Sequence, residues 1–254
     1  MKSKYFNKKE KGHSVRCKLY FNDMRAIKRI VICLHGFTGH MDNKAVERFA
    51  DYVLKKNKDV AILIYNAPCH GDDVKKKLSL EDCDAYITLV TDYAKKQFKT
   101  DELYVYANSF GGYQALKYLS EHKCPFRKTA LRCPAVNMFT VMDSLLIPED
   151  RAVLEKNKPC SVGFDRKVTV TPGLLEELRS YDVRQLDYLD YAEDLLILHG
   201  TADEVVPFDV SREFAENNLI EFIPVEKADH RFQNPVHMSL AIKYVMEFFD
   251  LQNN

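Results

Sequence analysis

YVYANSFGGYQALKYL, running from Tyr104 to Leu119, holds one serine at a change of character in the chain. Tyr104, Val105 and Tyr106 read as a buried strand, and Gln114 to Leu119 have the composition of a helix. Between them Ser109 is followed by Phe110, Gly111 and Gly112. A strand that turns into a helix through so short a corner projects one side chain out of the sheet edge. Serine at a helix start is by itself more often a cap than a nucleophile. Its reading therefore depends on what the rest of the chain delivers to the same edge.

Outward from this corner, apolar runs alternate with amphipathic ones. RIVICLHG from Arg29, DVAILIYNAP from Asp59, LYVYANS from Leu103, TALRCPA from Thr129, DLLILHG from Asp194 and LIEFIPVEKA from Leu219 read as strands. Most are continuous rather than alternating, as expected of strands covered on both faces. Helical patterns lie between them, at Lys44 to Lys56, Leu80 to Phe98, Phe110 to His122, Val210 to Asn217 and Pro235 to Phe249. The alternation predicts an α/β fold with a mostly parallel central sheet flanked by helices. The rhythm breaks between the fourth and fifth strands. There, residues 136–191 carry KPCSVGFDRKVTVTPGLLEELRSYDV, with a short hairpin and a helix of its own. An insertion of that length is expected to be functional, a lid or cap. The organisation that follows is a core in two parts, residues 1–135 and 192–254, around an inserted lid at 136–191.

Composition narrows the function. In 254 residues, 37 Lys and Arg balance 37 Asp and Glu, which argues against a general nucleic-acid or membrane-surface binder. The lysine-rich opening MKSKYFNKKEKGHS has no apolar centre and does not read as a secretory signal. No apolar run approaches the roughly 20 residues of a membrane span. Seven cysteines without Cys-x-x-Cys spacing suit reduced thiols in the cytoplasm better than a disulfide framework. A monomer and a homodimer both remain open.

In open parallel sheets, ligands bind beyond the carboxyl ends of the strands, so the residues just after each run matter most. After RIVICL come His35, Gly36, Phe37, Thr38 and Gly39; after LYVYAN comes Ser109; after LLILHGTA comes Asp203; and after the last strand DHRF contains His230. A serine, an acid, a histidine and a glycine-bracketed loop thus reach one rim, in the chain order Ser, Asp, His expected of α/β-hydrolases. A serine hydroxyl is a weak nucleophile until an imidazole takes its proton, the role open to His230. Asp203 would hold the other ring nitrogen and stabilise the imidazolium. The backbone N–H groups of Phe37 and Phe110 would receive the oxyanion, with Gly36 and Gly39 letting the Phe37 loop come close.

HGFTGHMDN, NSFGGYQAL, HGTADEVVP and DHRF resemble the α/β-hydrolase superfamily over nearly the whole chain, and within it the serine esterases of the feruloyl (cinnamoyl) esterase and monoacylglycerol-lipase-like branch. The resemblance implies an α/β-hydrolase fold with a small inserted lid, and it assigns Phe37 an oxyanion N–H. One departure stands out. The serine corner usually reads Gly-x-Ser-x-Gly, whereas here Ala107 precedes Asn108 and Ser109. Alanine adds only a methyl group where strand and helix crowd, so a working corner is expected.

Other residues invite chemistry and have plainer readings. Glu204, next to Asp203, is the alternative acid. Asp229 and Arg231 read as solvated or structural charges. His35 is expected to orient its own loop, and His199 to pack and bond locally. Cys69, His70, Asp72 and Asp73 match no standard zinc spacing, and no metal or other cofactor is implied. Tyr181, Tyr188 and Tyr191, with Phe164 and Leu174, read as lid packing. Phe164, Leu174, Leu175 and Tyr181, with Asp165 and Arg166, suggest an apolar pocket lining that carries a few polar groups. The expected activity is hydrolysis of a small-molecule carboxylic ester through an acyl-enzyme. A thioesterase or a lysophospholipase/monoacylglycerol lipase is the near alternative, and a non-catalytic small-molecule-binding protein the distant one. Ser109 argues against the dehalogenases and epoxide hydrolases of this fold, which use a carboxylate nucleophile.

Overall fold

The computed structural model describes residues 1–163 and 166–251. Its elements, in chain order, are β1 (Lys2–Glu10), β2 (His13–Phe21), β3 (Arg29–Leu34), α1 (Lys44–Lys56), β4 (Val60–Tyr65), α2 (Leu80–Phe98), β5 (Leu103–Asn108), α3 (Phe110–Glu121) and β6 (Lys128–Arg132). Next come α4 (Met138–Ser144), α5 (Pro148–Glu155), β7 (Cys160–Val162), β8 (Val168–Val170), α6 (Pro172–Ser180), β9 (Leu195–Gly200), α7 (Phe208–Asn217), β10 (Glu221–Val225) and α8 (Pro235–Phe248). The main sheet has the order β1-β2-β4-β3-β5-β6-β9-β10. From β4 to β10 every neighbouring pair is parallel, while β1 with β2 and β2 with β4 are antiparallel.

The continuous apolar runs have a direct cause. In β3, Ile30 and Ile32 join the core cluster under α2 and α3, while Val31 and Cys33 join the cluster under α1 and α8. Because successive strand residues point to opposite faces, a strand covered on both sides needs apolar residues at every position. Helix starts are equally local. The Asn43 side chain accepts from Ala45 and Val46 N–H, and Ser79 accepts from Asp82 N–H, so α1 and α2 begin where their caps stand.

Two features exceed the sequence reading. The lysine-rich opening is β1, paired with β2 from Lys2–Phe21 to Glu10–His13 around a turn at Lys11 and Gly12, both with positive φ. Strand β1 closes one edge of the sheet and is largely exposed, so its lysines mask a strand signal while protecting an edge. The 136–191 segment contains the expected hairpin, β7 with β8, and the expected helix, α6, but also α4 and α5. It packs on the core through Tyr188, fully buried with its hydroxyl donating to the Leu116 carbonyl, and through the Tyr113 hydroxyl, which donates to the Tyr181 carbonyl. No helix among the described residues is long and apolar enough to cross a membrane.

Candidate active site

Ser109 sits at the corner between β5 and α3 with φ 54° and ψ −120°, a conformation normally reserved for glycine at the first central position of a type II′ turn. The corner is clamped from both sides. The Ser109 N–H donates to the Arg132 carbonyl at 3.1 Å, and the Ser109 carbonyl accepts from the Ala135 and Tyr113 N–H groups, each at 3.1 Å. Helix α3 enters so close to β3 that a Cβ on Gly111 would collide with the Leu34 and His35 carbonyl oxygens. Ala107, the departure from the usual corner, is buried in the core at 1% exposure and pairs in register with Leu34 and Leu131.

The serine, histidine and aspartate nominated by the sequence come together. His230 Nε2 lies 3.0 Å from Ser109 Oγ, and His230 Nδ1 lies 2.8 Å from Asp203 Oδ2. The Asp203 side chain is fully buried. Its Oδ1 accepts from the N–H groups of Val205 at 2.9 Å and Val206 at 2.8 Å. Burial by itself would raise this carboxyl. Hydrogen bonds from His199 and His230, the charge of His230 and the Val206 N–H outweigh it and hold the carboxyl well below the usual range. It therefore remains an anion and an acceptor, and the chain Asp203–His230–Ser109 can draw a proton off the hydroxyl. Glu204 takes a different place: its carboxylate accepts from the His230 backbone N–H at 3.3 Å rather than from the ring.

His199 was expected to pack and bond locally, and the structure shows that its local partner is the acid itself. Its Nε2 lies 3.1 Å from Asp203 Oδ2 and 3.1 Å from the Val206 carbonyl, inside a fully buried site. Asp203 is thus gripped by two histidines. The signal in the sequence was the His-Gly pair just before the acid, which shows adjacency in the chain but not the return of the side chain. Cys133, His199 and Asp203 also bring ligand-type atoms within 4.8 Å of one another. The Asp203 oxygens there are already engaged by two imidazoles and two N–H groups, so an ion would compete directly with His230.

The loop after β3 forms the opposite wall. A Cβ on Gly36 would lie 3.0 Å from Asn108 Nδ2 and 3.1 Å from Ser109 Cβ, so a larger residue here would have to push these neighbours aside by a few tenths of an ångström. Among the described residues nothing accepts a hydrogen bond from the Phe37 or Phe110 backbone N–H. Phe110 begins the 12-residue helix α3, whose positive end favours a developing anion. His35 lies beneath this loop: its Nδ1 is 2.9 Å from the Gly36 carbonyl and its Nε2 accepts from the Ala67 N–H at 3.0 Å. Those partners fix the proton on Nδ1. Burial, with the neighbouring His70 adding to it, pushes the ring down to about 3. His70 is likewise pushed down to about 4 by burial, and its Nδ1 faces the Pro68 carbonyl at 2.8 Å. Of the other residues in that turn, Asp73 accepts from the Cys69 N–H and the Tyr86 hydroxyl, and Asp72 pairs with Arg16.

Above Ser109 lies a cavity of about 400 Å³. One wall is apolar, made by Met138, Val141 and Leu145 of the 136–191 segment with Phe37 and Val205. This corrects the expected lining. Leu174 is buried at 1% exposure in the main core, Leu175 packs against that core, and the Tyr181 hydroxyl meets Ser120 at 2.9 Å. Of the residues nominated as pocket lining, Arg166 reaches the cavity. Phe164 and Asp165 lie outside the described residues.

The fold recurs widely among solved proteins. Est1E from Butyrivibrio proteoclasticus, solved with ferulic acid bound, superposes with a TM-score of 0.78 at 20% identity, over 97% of this chain and 98% of that one. The esterase domain of a Rhodothermus marinus protein gives 0.71 at 17% identity, over 98% of each chain. A monoacylglycerol lipase from Paleococcus ferrophilus gives 0.68 at 15% identity, over 94% of this chain and 99% of that one. No curated protein matches the sequence at a significant level. The family model described as serine aminopeptidase, S33 matches residues 25–158, just over half of the chain, including the His-Gly loop and the Ser109 corner. By that match the chain belongs to the serine aminopeptidase, S33 family of α/β-hydrolases and is a hydrolase.

Proposed function

We propose that this hydrolase cleaves carboxylic esters of small to medium acyl or aryl groups, hydroxycinnamoyl among them, through an acyl-enzyme on Ser109. The observation that carries the reading is the hydrogen-bonded line from Asp203 through His230 to Ser109 Oγ, at 2.8 and 3.0 Å. In the first half-reaction Oγ forms a bond to the ester carbonyl carbon as its proton passes to His230 Nε2. The carbonyl oxygen takes up negative charge, met by the Phe37 and Phe110 N–H groups. Collapse of this intermediate breaks the bond to the alcohol oxygen, which leaves with the proton from His230. Water then repeats the sequence on the acyl-enzyme, releasing the acid and regenerating Ser109.

The 136–191 segment acts as the lid of this reading, since Met138, Val141 and Leu145 supply the apolar wall of the cavity. A free α-amino group, as an aminopeptidase substrate carries, would meet arginines there and no described carboxylate. That favours esters over peptides. Thioesters and monoacylglycerols would pass through the same steps, and their rates relative to simple esters distinguish the alternatives. The seven cysteines are free thiols, which suits action in a reducing compartment such as the cytoplasm.

The decisive experiment pairs a screen of acetyl, butyryl, octanoyl and feruloyl esters with fluorophosphonate labelling. Ester hydrolysis together with a label that maps to Ser109 is the expected result. A protein that neither labels nor cleaves any ester would leave a non-catalytic binding role instead.

A further inference from the structure

The lining of the cavity over Ser109 carries cationic groups that cleavage of a neutral ester does not require. Arg132, Arg166 and Arg231 line it together with His40, and no aspartate or glutamate does so among the described residues. The whole chain carries equal numbers of acidic and basic residues, 37 of each, so the bias is local. Arg231 has a partner of its own, which leaves Arg132 as the informative residue.

Arg132 ends β6, in register with Asn108, and is only 6% exposed. Its Nη1 donates to the Arg231 carbonyl at 2.9 Å, and its guanidinium carbon lies 5.1 Å from the centre of the Phe232 ring. Its Nε is buried without a hydrogen-bond partner, and no described carboxylate pairs with it. A guanidinium taken out of water is costly unless an anion compensates it, and one carbonyl, one ring face and the neighbouring Tyr106 hydroxyl return only part of that cost. Arg166 adds a second cation at the same cavity: after burial, its charge is the next cause holding the His40 ring down.

We infer that the missing counter-ion arrives with the substrate, as a carboxylate or phosphate on the alcohol half of the ester, received by Arg132 with Arg166. The side follows from the mechanism and so rests on the serine-esterase reading. His230 must return its proton to the leaving oxygen, so the alcohol half lies against the turn that carries His230. Arg132 is bonded to that turn through the Arg231 carbonyl and the Phe232 ring. The apolar wall of Met138, Val141 and Leu145 is left for the acyl half. Arginine suits the task, because its planar donor fork matches carboxylate and phosphate oxygens in pairs.

Two matched pairs of esters test this. O-butyryl-lactate is compared with neutral O-butyryl-lactamide, and 1-butyrylglycerol 3-phosphate with 1-butyrylglycerol. In the wild type the anionic member of at least one pair should show a kcat/KM about tenfold higher or more, chiefly through KM. The pair that responds tells carboxylate from phosphate. In Arg132→Gln that ratio should fall to within about threefold, and Arg132→Lys should keep part of it. The ratio is read within each variant, so a general loss of activity from a loosened His230 turn does not mask it. Arg166→Gln, an exposed change, should lower the ratio without touching the core. Equal kcat/KM within both pairs in the wild type overturns the proposal, as does a ratio that survives Arg132→Gln. Calorimetry of the same four compounds on Ser109→Ala reads binding apart from cleavage. Tighter binding of an anionic member supports the subsite even where no ester is hydrolysed, an outcome that would sink the esterase reading alone. Equal binding within both pairs overturns the subsite.

Discussion

The rim that carries Ser109, Asp203 and His230 and the 136–191 segment beside it meet at one cavity, yet they are built differently. On the rim, backbone bonds hold Ser109 and Asp203 in place. Ser109 is held by the N–H and carbonyl bonds of its own corner, Asp203 by the Val205 and Val206 N–H groups, and the Gly36 loop by its contact with Asn108 and Ser109. In the segment, α4 starts without a side-chain cap, the sheet is a pair of three-residue strands, and contact with the cavity is made by the apolar side chains of Met138, Val141 and Leu145 together with Arg166. Apolar side chains exchange for one another at small cost, whereas a bond made by backbone cannot be exchanged. The difference teaches where variation is tolerated: on the proposed function, bond-breaking belongs to the backbone-held geometry of the rim, and the choice of ester to the adjustable wall.

The strongest way to break this division is Ser109→Ala. It should lower kcat by about 10⁴-fold or more with the fold intact by circular dichroism. A purified variant that retains above a tenth of wild-type turnover would sink the assignment. Asp203→Asn should cost about 10³-fold or more, since the amide cannot hold the imidazole in the same tautomer. Glu204→Gln, at a carboxylate that accepts from the His230 backbone N–H and not from the ring, should stay within about fivefold. The reverse pattern would make Glu204 the working acid.

Acid sensitivity should also belong to the rim. His35 and His70 are pushed from 6.5 down to about 3 and about 4 in the folded protein. Between those values and 6.5 the unfolded chain binds protons that the folded chain does not. Stability is therefore full above about pH 6.5 and is lost as the pH falls toward 4. Between pH 7 and pH 5 each ring contributes a loss on the order of 2 kcal/mol. Urea unfolding at several pH values should show this slope, and His35→Gln should flatten it whatever that change does to stability at pH 7. An unchanged slope would mean that His35 is protonated in the folded state. On the other side of the comparison, Val141→Ala with Leu145→Ala should shift the ranking of acetyl, feruloyl and octanoyl esters by about tenfold, or roughly 1.4 kcal/mol. Labelling of Ser109 by a small phosphonate should persist. An unchanged ranking would mean that the wall does not select the acyl group.

The same contrast explains what could be read in the chain. Helices α1 and α2 were legible to the residue because caps and periodicity are local, written at Asn43 and Ser79. The Ser109, Asp203 and His230 positions were legible because a parallel sheet delivers its strand ends to one rim. Strand β1 was not, since Lys2, Lys4, Lys8 and Lys9 make an edge strand look like a polar tail. Helix α4 was missed because its seven residues are too few to show a period. Arg132 is the last residue of β6 rather than the first beyond it, so a search of the residues just after each strand passes over it. His199 sits in plain view before Gly200, but its bond to Asp203 depends on a turn that no spacing announces.

The positive φ of Ser109 sets fold durability against catalytic purpose. A serine held at φ 54° is a residue the backbone would rather see replaced by glycine, at a cost on the order of 1–3 kcal/mol. Selection for stability alone would therefore erase the proposed nucleophile, and only selection for turnover would keep it. Ser109→Gly should unfold at higher urea concentration than Ser109→Ala, because glycine alone relaxes the corner once the hydroxyl is gone. Laboratory evolution toward heat resistance without an activity screen should drift to that same dead but sturdier protein.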